Sequence, residues 1–167
     1  MSRGFIKEGD QEEVPMVPKR AYLPEGVTNF VTRNGMDKLL GEKEALIRER
    51  EELNVSNENE RRIAVNYINA RLQLLINRIA EARVVDPKDQ PQDEITFGAT
   101  VTLKNIASGK IQDFQIVGVD EADIAKGKVS FISPLARALI NKKAGDMVTL
   151  KREKDEIVFE VLKIAYL

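Results

Sequence analysis

Cysteine, histidine and tryptophan are all absent from the 167-residue chain. Without cysteine there can be no disulfide framework and no thiol catalysis, and without histidine there can be no imidazole base. Nearly all structural zinc sites use one of these two residue types, so such sites are excluded as well. Aromatic residues make up only 5% of the chain, which argues against an aromatic-lined ligand pocket. We therefore expect an interaction protein that has no metal and no cofactor of its own.

Charge of one sign is also lacking, because 26 basic side chains face 27 acidic ones. This balance gives no general attraction for nucleic acid, so any such contact must depend on local patches. The chain has no run of about eighteen apolar residues, and its first letters, MSRGFIKEGDQEE, do not resemble a signal peptide. The sequence thus predicts a soluble, cytoplasmic protein without membrane contact.

Composition and periodicity divide the chain into four segments. They are an N-terminal arm (1–30), a helical hairpin (31–85), a linker (86–96) and a sheet domain (97–167). The arm contains Pro15, Pro18 and Pro24 but no periodicity, so it is either a flexible tail or a segment that docks on a partner or on the body of the protein. The linker is marked by the polar, proline-broken run DPKDQPQD.

Two helical patterns fill the second segment. The first begins near Gly35 and carries apolar residues at helical intervals, and the second has steps of three and four that are typical of a heptad seam. The second seam comprises Val65, Ile68, Leu72, Leu75, Ile79 and Ala82. Because a short polar break at 54–57 joins the two patterns, we predict an antiparallel hairpin of two helices. At about 1.5 Å per residue they are roughly 28–30 Å and 37 Å long.

The last segment alternates with a period of two, which predicts strands. Five of them are expected, at FGATVTLKN, QDFQIVG, KVSFI, DMVTLKR and EIVFEVLKIAYL. Between the third and the fourth, one short helix is predicted to start after the N-cap Ser133, with Pro134 in its first turn, and to end near Gly145. The fold class is therefore α+β, with a helical hairpin followed by a small antiparallel sheet and one helix. The acidic run DEADIAKG lacks the spacing of a calcium loop and is interpreted as a solvated turn.

The sheet domain closely resembles the C-terminal domain of the bacterial transcript cleavage factors GreA and GreB. The resemblance lies in the F-G-A opening, the I-V-G-x-D-E segment, the S-P-x-A-R-A-L segment and the Y-L ending. Upstream, FVTRNGMDKLL is similar to the V-T-x-x-G start of the family's hairpin, and ARVVD to its end. The resemblance covers most of residues 30–167, whereas 1–29 have no counterpart in ordinary cleavage factors. It implies a helical hairpin followed by an FKBP-like domain, the architecture that the periodicities also predict.

The resemblance also implies the function of an accessory factor of RNA polymerase, which is not itself an enzyme. In the family, the globular domain binds the rim of the polymerase secondary channel, and the hairpin carries acidic tip residues to the active site. There they help to hold a second Mg²⁺ and to orient a water. The rim-binding residues implied here are Ile132, Ser133, Pro134, Ala136 and Arg137.

The implied tip residues follow the polar break. Asn54, Glu58 and Glu60 are candidates for assisting the polymerase Mg²⁺. The basic pair Arg61 and Arg62 could contact the 3′ end of the nascent RNA or the channel wall, or be ordinary solvated positions.

Three departures from the family pattern bear on this function. Asn54 stands where the family tip has an Asp, so one anionic oxygen ligand is missing. The hairpin is shorter than in the usual cleavage factors by about sixteen residues, about eight per limb, which removes roughly 12 Å of reach. Ile132 replaces a polar residue that usually precedes the S-P of the rim-binding segment.

These departures favour an elongation regulator that occupies the secondary channel with weak or no stimulation of transcript cleavage. Such a protein resembles the short-hairpin relative known as the regulator of nucleoside diphosphate kinase. The alternative is a true cleavage-stimulating factor in which Glu58 and neighbouring glutamates replace the missing Asp. A prolyl isomerase is suggested only by the FKBP-like fold, and fold alone does not confer function.

Overall fold

The computed structural model describes residues 14–167; residues 1–13, which belong to the predicted arm, lie outside the described residues. The elements in chain order are β1 (Asn29–Val31), α1 (Arg33–Glu51), α2 (Glu58–Glu81), β2 (Ala82–Val84), β3 (Thr100–Asn105), β4 (Ile111–Val117), β5 (Lys128–Ser130), α3 (Pro134–Leu139), β6 (Met147–Lys151) and β7 (Glu156–Ala165). A helical hairpin is followed by a small sheet with one short helix, so the predicted α+β fold class is confirmed.

The hairpin is held together by the two predicted apolar stripes. Thr32 caps α1 by accepting a hydrogen bond from the Gly35 N–H, and Asn57 caps α2 in the same way from Glu60. Between the helices, the buried side chains are Leu39, Leu46, Ile68, Leu72 and Leu75. The helices have 19 and 24 residues, about 28 Å and 36 Å long, close to the predicted lengths. In the described part of the chain, no helix is long and apolar enough to cross a membrane.

The sheet domain contains five strands in the order β5-β4-β3-β7-β6. Three of the four pairings are antiparallel, and only the edge pair β4–β5 is parallel. The loop 118–127 returns the chain from the end of β4 to a position beside Gln115. Lys128 then lies opposite Gln115 and Ser130 opposite Val117, so β5 runs in the same direction as β4. The core is built from side chains of all five strands and of α3, including Val101, Ile116, Val129, Leu139, Val148 and Val161.

Helix α3 is shorter than the sequence predicts, because it ends at Leu139 and not near Gly145. The linker segment explains this early end. Ile95 exchanges backbone hydrogen bonds with Asn141 and Lys142, at 2.8 and 2.9 Å, which withdraws these residues from the helix. Asn141 takes a left-handed conformation with φ of 68°, one that asparagine tolerates better than most residues do.

A two-stranded parallel pair, β1–β2, joins the start of the hairpin to its end and is absent from the predicted elements. Each strand has only three residues, too few for a period of two to be recognised. Next to this pair, three phenylalanine rings connect the hairpin to the sheet domain. The ring centroid of Phe30 lies 5.8 Å from that of Phe97 and 5.9 Å from that of Phe131. Such tilted and edge-to-face contacts stabilise the junction beyond simple burial.

The carboxylate of Glu121 forms the polar half of the same junction. It accepts hydrogen bonds from the Thr32 hydroxyl, from Asn34 Nδ2 at 2.9 Å and from Lys128 Nζ at 3.3 Å. Burial by itself would raise the pKa of Glu121, but the hydrogen bonds and the charge of Lys128 outweigh it and lower the pKa. The prediction that the run DEADIAKG is a solvated turn is therefore wrong for Glu121. It is also wrong for Asp120, whose side chain is only 9% exposed.

Two glycines of the family-like motifs allow the hairpin to approach this closely. A Cβ on Gly35 would lie 2.8 Å from Glu121 Oε1, and one on Gly118 would lie 2.6 Å from the carbonyl oxygen of Phe30. Both distances are too short for a carbon atom. The glycines of V-T-x-x-G and I-V-G thus leave room for the base of α1 beside the loop after β4.

Replacing Gly35 with alanine should destabilise the protein, whereas the same change at Gly41 should stabilise it. The Glu121 carboxylate is held by three donors and cannot easily move from a new Cβ, so we expect Gly35→Ala to lower the free energy of unfolding by about 1–3 kcal/mol. A Cβ at Gly41 meets nothing within 4 Å. Gly41→Ala should therefore raise the free energy of unfolding by about 0.5–1 kcal/mol, through helix propensity. Urea denaturation measures both; equal effects would contradict the crowding at Gly35.

Glu121→Gln should cost stability in a pH-dependent manner. Because the folded-state pKa of Glu121 is lowered, the ionised form favours folding. Its contribution is complete above the ordinary pKa of 4.5 and is lost as the pH falls through the folded-state pKa. We expect the variant to be less stable than the native chain by about 1–3 kcal/mol at neutral pH, since hydrogen bonds to a charged group are lost. The difference should narrow below pH 4.5.

Urea denaturation over a range of pH, with the exposed Glu153→Gln as the matched control, measures this effect. A difference that stays constant down to low pH would show that Glu121 does not contribute as an ion.

Candidate functional site: the hairpin tip and the Ser133 helix

The tip of the hairpin, residues 53–60, consists of a short loop (53–57) and the first turn of α2, closed by their own hydrogen bonds. The Glu52 N–H bonds to the Arg48 carbonyl at 2.9 Å, which completes the last turn of α1. On the other side, Asn57 Oδ1 accepts from the Glu60 N–H at 3.0 Å and starts α2. Arg61 closes the loop by donating from Nη1 to the Leu53 carbonyl at 3.2 Å. The tip therefore has a defined backbone.

The three predicted metal-assisting residues are all exposed at this tip. Asn54 lies in the loop, whereas Glu58 and Glu60 lie in the first turn of α2, where the helix dipole favours negative charge. Within residues 14–167, neither glutamate forms an ion pair, so both carboxylates are available to a cation offered by a partner. The same part of the chain contains no group of three or more acidic side chains that could hold a metal ion.

The predicted basic pair lies directly beside these carboxylates. Arg62 donates from Nη2 to Asn59 Oδ1 at 2.9 Å, and Arg61 is directed to the loop backbone. Both side chains are exposed, and together with Glu58 and Val65 they line a shallow groove. The tip thus presents anionic and cationic groups side by side, and neither arginine neutralises the glutamates.

The predicted rim-binding residues surround the start of α3, but they do not all reach the surface. Ser133 caps the helix, with its hydroxyl accepting from the Ala136 N–H at 3.2 Å. Pro134 and Arg137, three residues apart and hence on one helix face, are exposed, while Ile132 and Ser133 are half-buried. Ala136 is completely buried in the core of the sheet domain. Its prediction as a contact residue is therefore wrong, because the small side chain is needed where α3 packs against the sheet.

Other residues that fix the site geometry were missed at the sequence level. Asp120 and Glu121 hold the hairpin on the sheet domain, together with Arg20 of the arm and Arg78 of α2. A signal existed for the acidic pair, since two adjacent carboxylates follow a fully apolar strand end, I-V-G-V. For Arg20 there was none, because a basic residue in a non-periodic arm gives no pattern.

Chemically, the site combines an exposed surface at the start of α3 with a tip that projects away from the sheet domain. The tip lies about one helix length, roughly 28 Å, from the junction at Thr32. It offers carboxylate, amide and guanidinium groups at an exposed surface. Such a site can add ligands and charges to a reaction centre that belongs to another protein.

Comparisons with known proteins identify the family that the chain is similar to. Residues 90–166 match the family model for the C-terminal domain of transcription elongation factors GreA/GreB. The chain is 38% identical over 152 residues to a transcription elongation factor GreA of a Nitratiruptor species, covering 81% of this chain and 92% of that protein. It is 42% identical over 102 residues to a transcription elongation factor GreA of Alkalilimnicola ehrlichii, covering 60% of this chain and 65% of that protein.

Among solved structures, a prokaryotic transcription elongation factor GreA/GreB from Nitrosomonas europaea aligns with 84% of this chain and 99% of its own, at 18% identity and a TM-score of 0.42. The family assignment depends on the sequence relatives, above all on the 38% identity that extends over 92% of the Nitratiruptor protein. The chain belongs to the GreA/GreB family of transcription elongation factors.

Proposed function

We propose that this protein is a transcription elongation regulator that binds RNA polymerase at its secondary channel and inserts the hairpin toward the active site, with weak or no stimulation of transcript cleavage. It acts as an accessory factor, and the chemistry belongs to the polymerase. The observation that carries the proposal is the tip: a defined, exposed loop on a short hairpin, with a neutral Asn54 where the family pattern has an acidic residue.

The length of the hairpin supports a weak effect on transcript cleavage. Helix α1 has only 19 residues, about 28 Å, and the family pattern implies roughly eight more residues per limb. A carboxylate must come within about 2.0–2.6 Å of a hard cation to bind it, so a shortfall of roughly 12 Å cannot be overcome by side-chain rotation. A hairpin of this length would occupy the channel without completing the metal site.

Docking is assigned to the exposed face at the start of α3. Pro134 and Arg137 present a rigid apolar group and a planar cation on one surface, flanked by the half-buried Ile132 and Ser133. A guanidinium suits bidentate contact with a carboxylate of a partner. Within residues 14–167, Arg137 forms no ion pair, so its charge is available for such a contact.

One alternative function, the stimulation of transcript cleavage, is still supported by the residues of the tip. Glu58 and Glu60 are exposed and unpaired among the described residues, so a hairpin that docked deeper could use them to stimulate cleavage. A prolyl isomerase gains no support, because Phe97 and Phe131 pack against Phe30 and each other. Among the described residues, the cavity that Phe97 borders is lined by no second aromatic side chain.

The decisive assay is RNA cleavage in a stalled, backtracked polymerase complex. We expect excess protein to leave the cleavage rate nearly unchanged, because the tip stops short of the metal, and to suppress the cleavage that an added GreA stimulates, because both occupy one channel. Glu58→Ala should leave this suppression intact, as should Glu44→Ala, a matched exposed glutamate on α1.

The alternative function predicts a different pattern: faster cleavage with the native chain and with Glu44→Ala, and loss of the effect in Glu58→Ala. That result would overturn the proposed weak role of the tip. If the protein neither stimulates nor suppresses cleavage, the assignment to the secondary channel is itself refuted.

Polymerase affinity should depend on Arg137. We expect Arg137→Ala to weaken binding roughly 5- to 30-fold, which corresponds to losing about 1–2 kcal/mol, and to leave the free energy of unfolding unchanged because the side chain is exposed. The matched control is Lys110→Ala, an exposed cation in the turn between β3 and β4. Titration of labelled protein with polymerase measures the two dissociation constants. Equal constants for the two variants would place the contact surface elsewhere on the domain.

A further inference from the structure

Residues 18–21 of the arm border a crevice between the hairpin and the loop after β4. Arg20 is the residue that enters it, with its side chain only 17% exposed. Its guanidinium binds Glu42 of α1 through two hydrogen bonds, from Nη1 at 2.8 Å and from Nη2 at 3.0 Å. From Nε it also donates to Asp120 Oδ1, in the loop after β4, at 3.2 Å. One side chain of the arm thus joins the two parts of the molecule.

Arg78 of α2 completes the network from the other helix. Its Nη2 donates to the Ala21 carbonyl of the arm, and its Nε lies 3.3 Å from Asp120 Oδ2. The side chains of Arg78 and Asp120 are only 12% and 9% exposed. Three of these four charged side chains are largely shielded from water, whereas that of Glu42 is 39% exposed. Asp120 and its two arginines therefore attract one another more strongly than surface pairs do.

The position of Glu42 gives this network its mechanical effect. Asn34 and Thr32 bind Glu121 at the base of α1, whereas Glu42 lies eight residues beyond Asn34, about 12 Å farther along the helix. A contact at the base fixes where the hairpin stands. A second contact farther along the helix also fixes the angle at which it stands.

The charges of the network make the angle of the hairpin more dependent on Arg20. Its guanidinium brings the carboxylates of Glu42 and Asp120 to one group, although they belong to different parts of the fold. Without that cation, two like charges would face each other across the crevice, and Arg78 is paired with Asp120 but not with Glu42. Their repulsion would favour opening of the angle between α1 and the sheet domain.

We propose that Arg20 is a positioning residue: by joining Glu42 to Asp120 it fixes the angle of the hairpin relative to the sheet domain. Its effect on activity rests on the proposed function, since a hairpin held at one angle loses less conformational entropy when it enters a channel. The segment before the hairpin, which has no counterpart in the family-like motifs, thereby gains a defined role.

The absence of native cysteine permits a direct test in the full chain. Spin labels at Ser56→Cys in the tip and at Ala107→Cys between β3 and β4 report the distance between the hairpin and the sheet domain; both positions are exposed. For the native residue at position 20, we expect a narrow distance distribution in pulsed electron paramagnetic resonance. Arg20→Ala should broaden it, and Lys19→Ala, the neighbouring exposed cation, should leave it narrow. Equal distributions for these two variants would overturn the proposal.

A double-mutant cycle isolates the pair itself. Glu42→Gln removes the same ion pair from the side of the hairpin, so it should broaden the distribution as well, and adding Arg20→Ala should have little further effect. Broadening that is simply additive would show that the two residues act independently, which would refute their joint role.

A functional readout separates positioning from simple instability. Arg20→Ala should raise the concentration needed for half-maximal suppression of GreA-stimulated cleavage roughly fivefold, as expected for the loss of about 1 kcal/mol, with the same suppression at saturation. Reduced suppression at saturation would indicate damage to the tip or to the fold and would contradict a positioning role.

The distance measurement uses the free protein, so it stands whether or not the native chain acts on polymerase. Broadening by Arg20→Ala together with an inactive native chain would refute the proposed function alone. An active native chain with unchanged distances would refute the positioning role alone.

Discussion

The carboxylate of Glu121 is buried at the junction of the hairpin and the sheet domain, and a buried charge is tolerated only with a full set of donors. Those donors come from both sides: Thr32 and Asn34 at the start of α1, and Lys128 at the start of β5. The base of the hairpin therefore has to stand where the carboxylate is satisfied. Gly35 makes that approach possible, and the rings around Phe30 cover the apolar side of the same junction.

This junction connects two parts of the molecule that present different surfaces. The sheet domain presents the exposed face of α3, and the hairpin carries the tip about one helix length away. Neither part needs catalytic groups of its own if the tip enters a reaction centre that already has metals. In that setting, the length of the hairpin and the charge of its tip decide between assisting a reaction and only occupying the channel. Under the proposed function, a hairpin shorter than the family pattern implies, with the neutral Asn54 at its tip, favours occupancy.

Sequence periodicity was most informative where burial is regular. The seam of α2 and the alternating strands could be predicted because each repeats one face over several turns or residues. The three-residue pair β1–β2 was too short to show a period, and the end of α3 is determined by the distant Ile95, which binds its backbone. The burial of Ala136 and Glu121 likewise depends on tertiary partners. A motif resemblance locates such residues without telling whether they face solvent or the core.

A structure of RNA polymerase in complex with this protein would test the central claim most directly. The account predicts that the face of Pro134 and Arg137 contacts the rim of the secondary channel. It also predicts that the hairpin lies inside the channel, with the oxygens of Glu58 and Glu60 roughly 12 Å short of the active-site metals, because each limb is shortened by about eight residues. A carboxylate of the tip within about 2.0–2.6 Å of a metal would contradict the account. So would a complex in which the hairpin lies outside the channel.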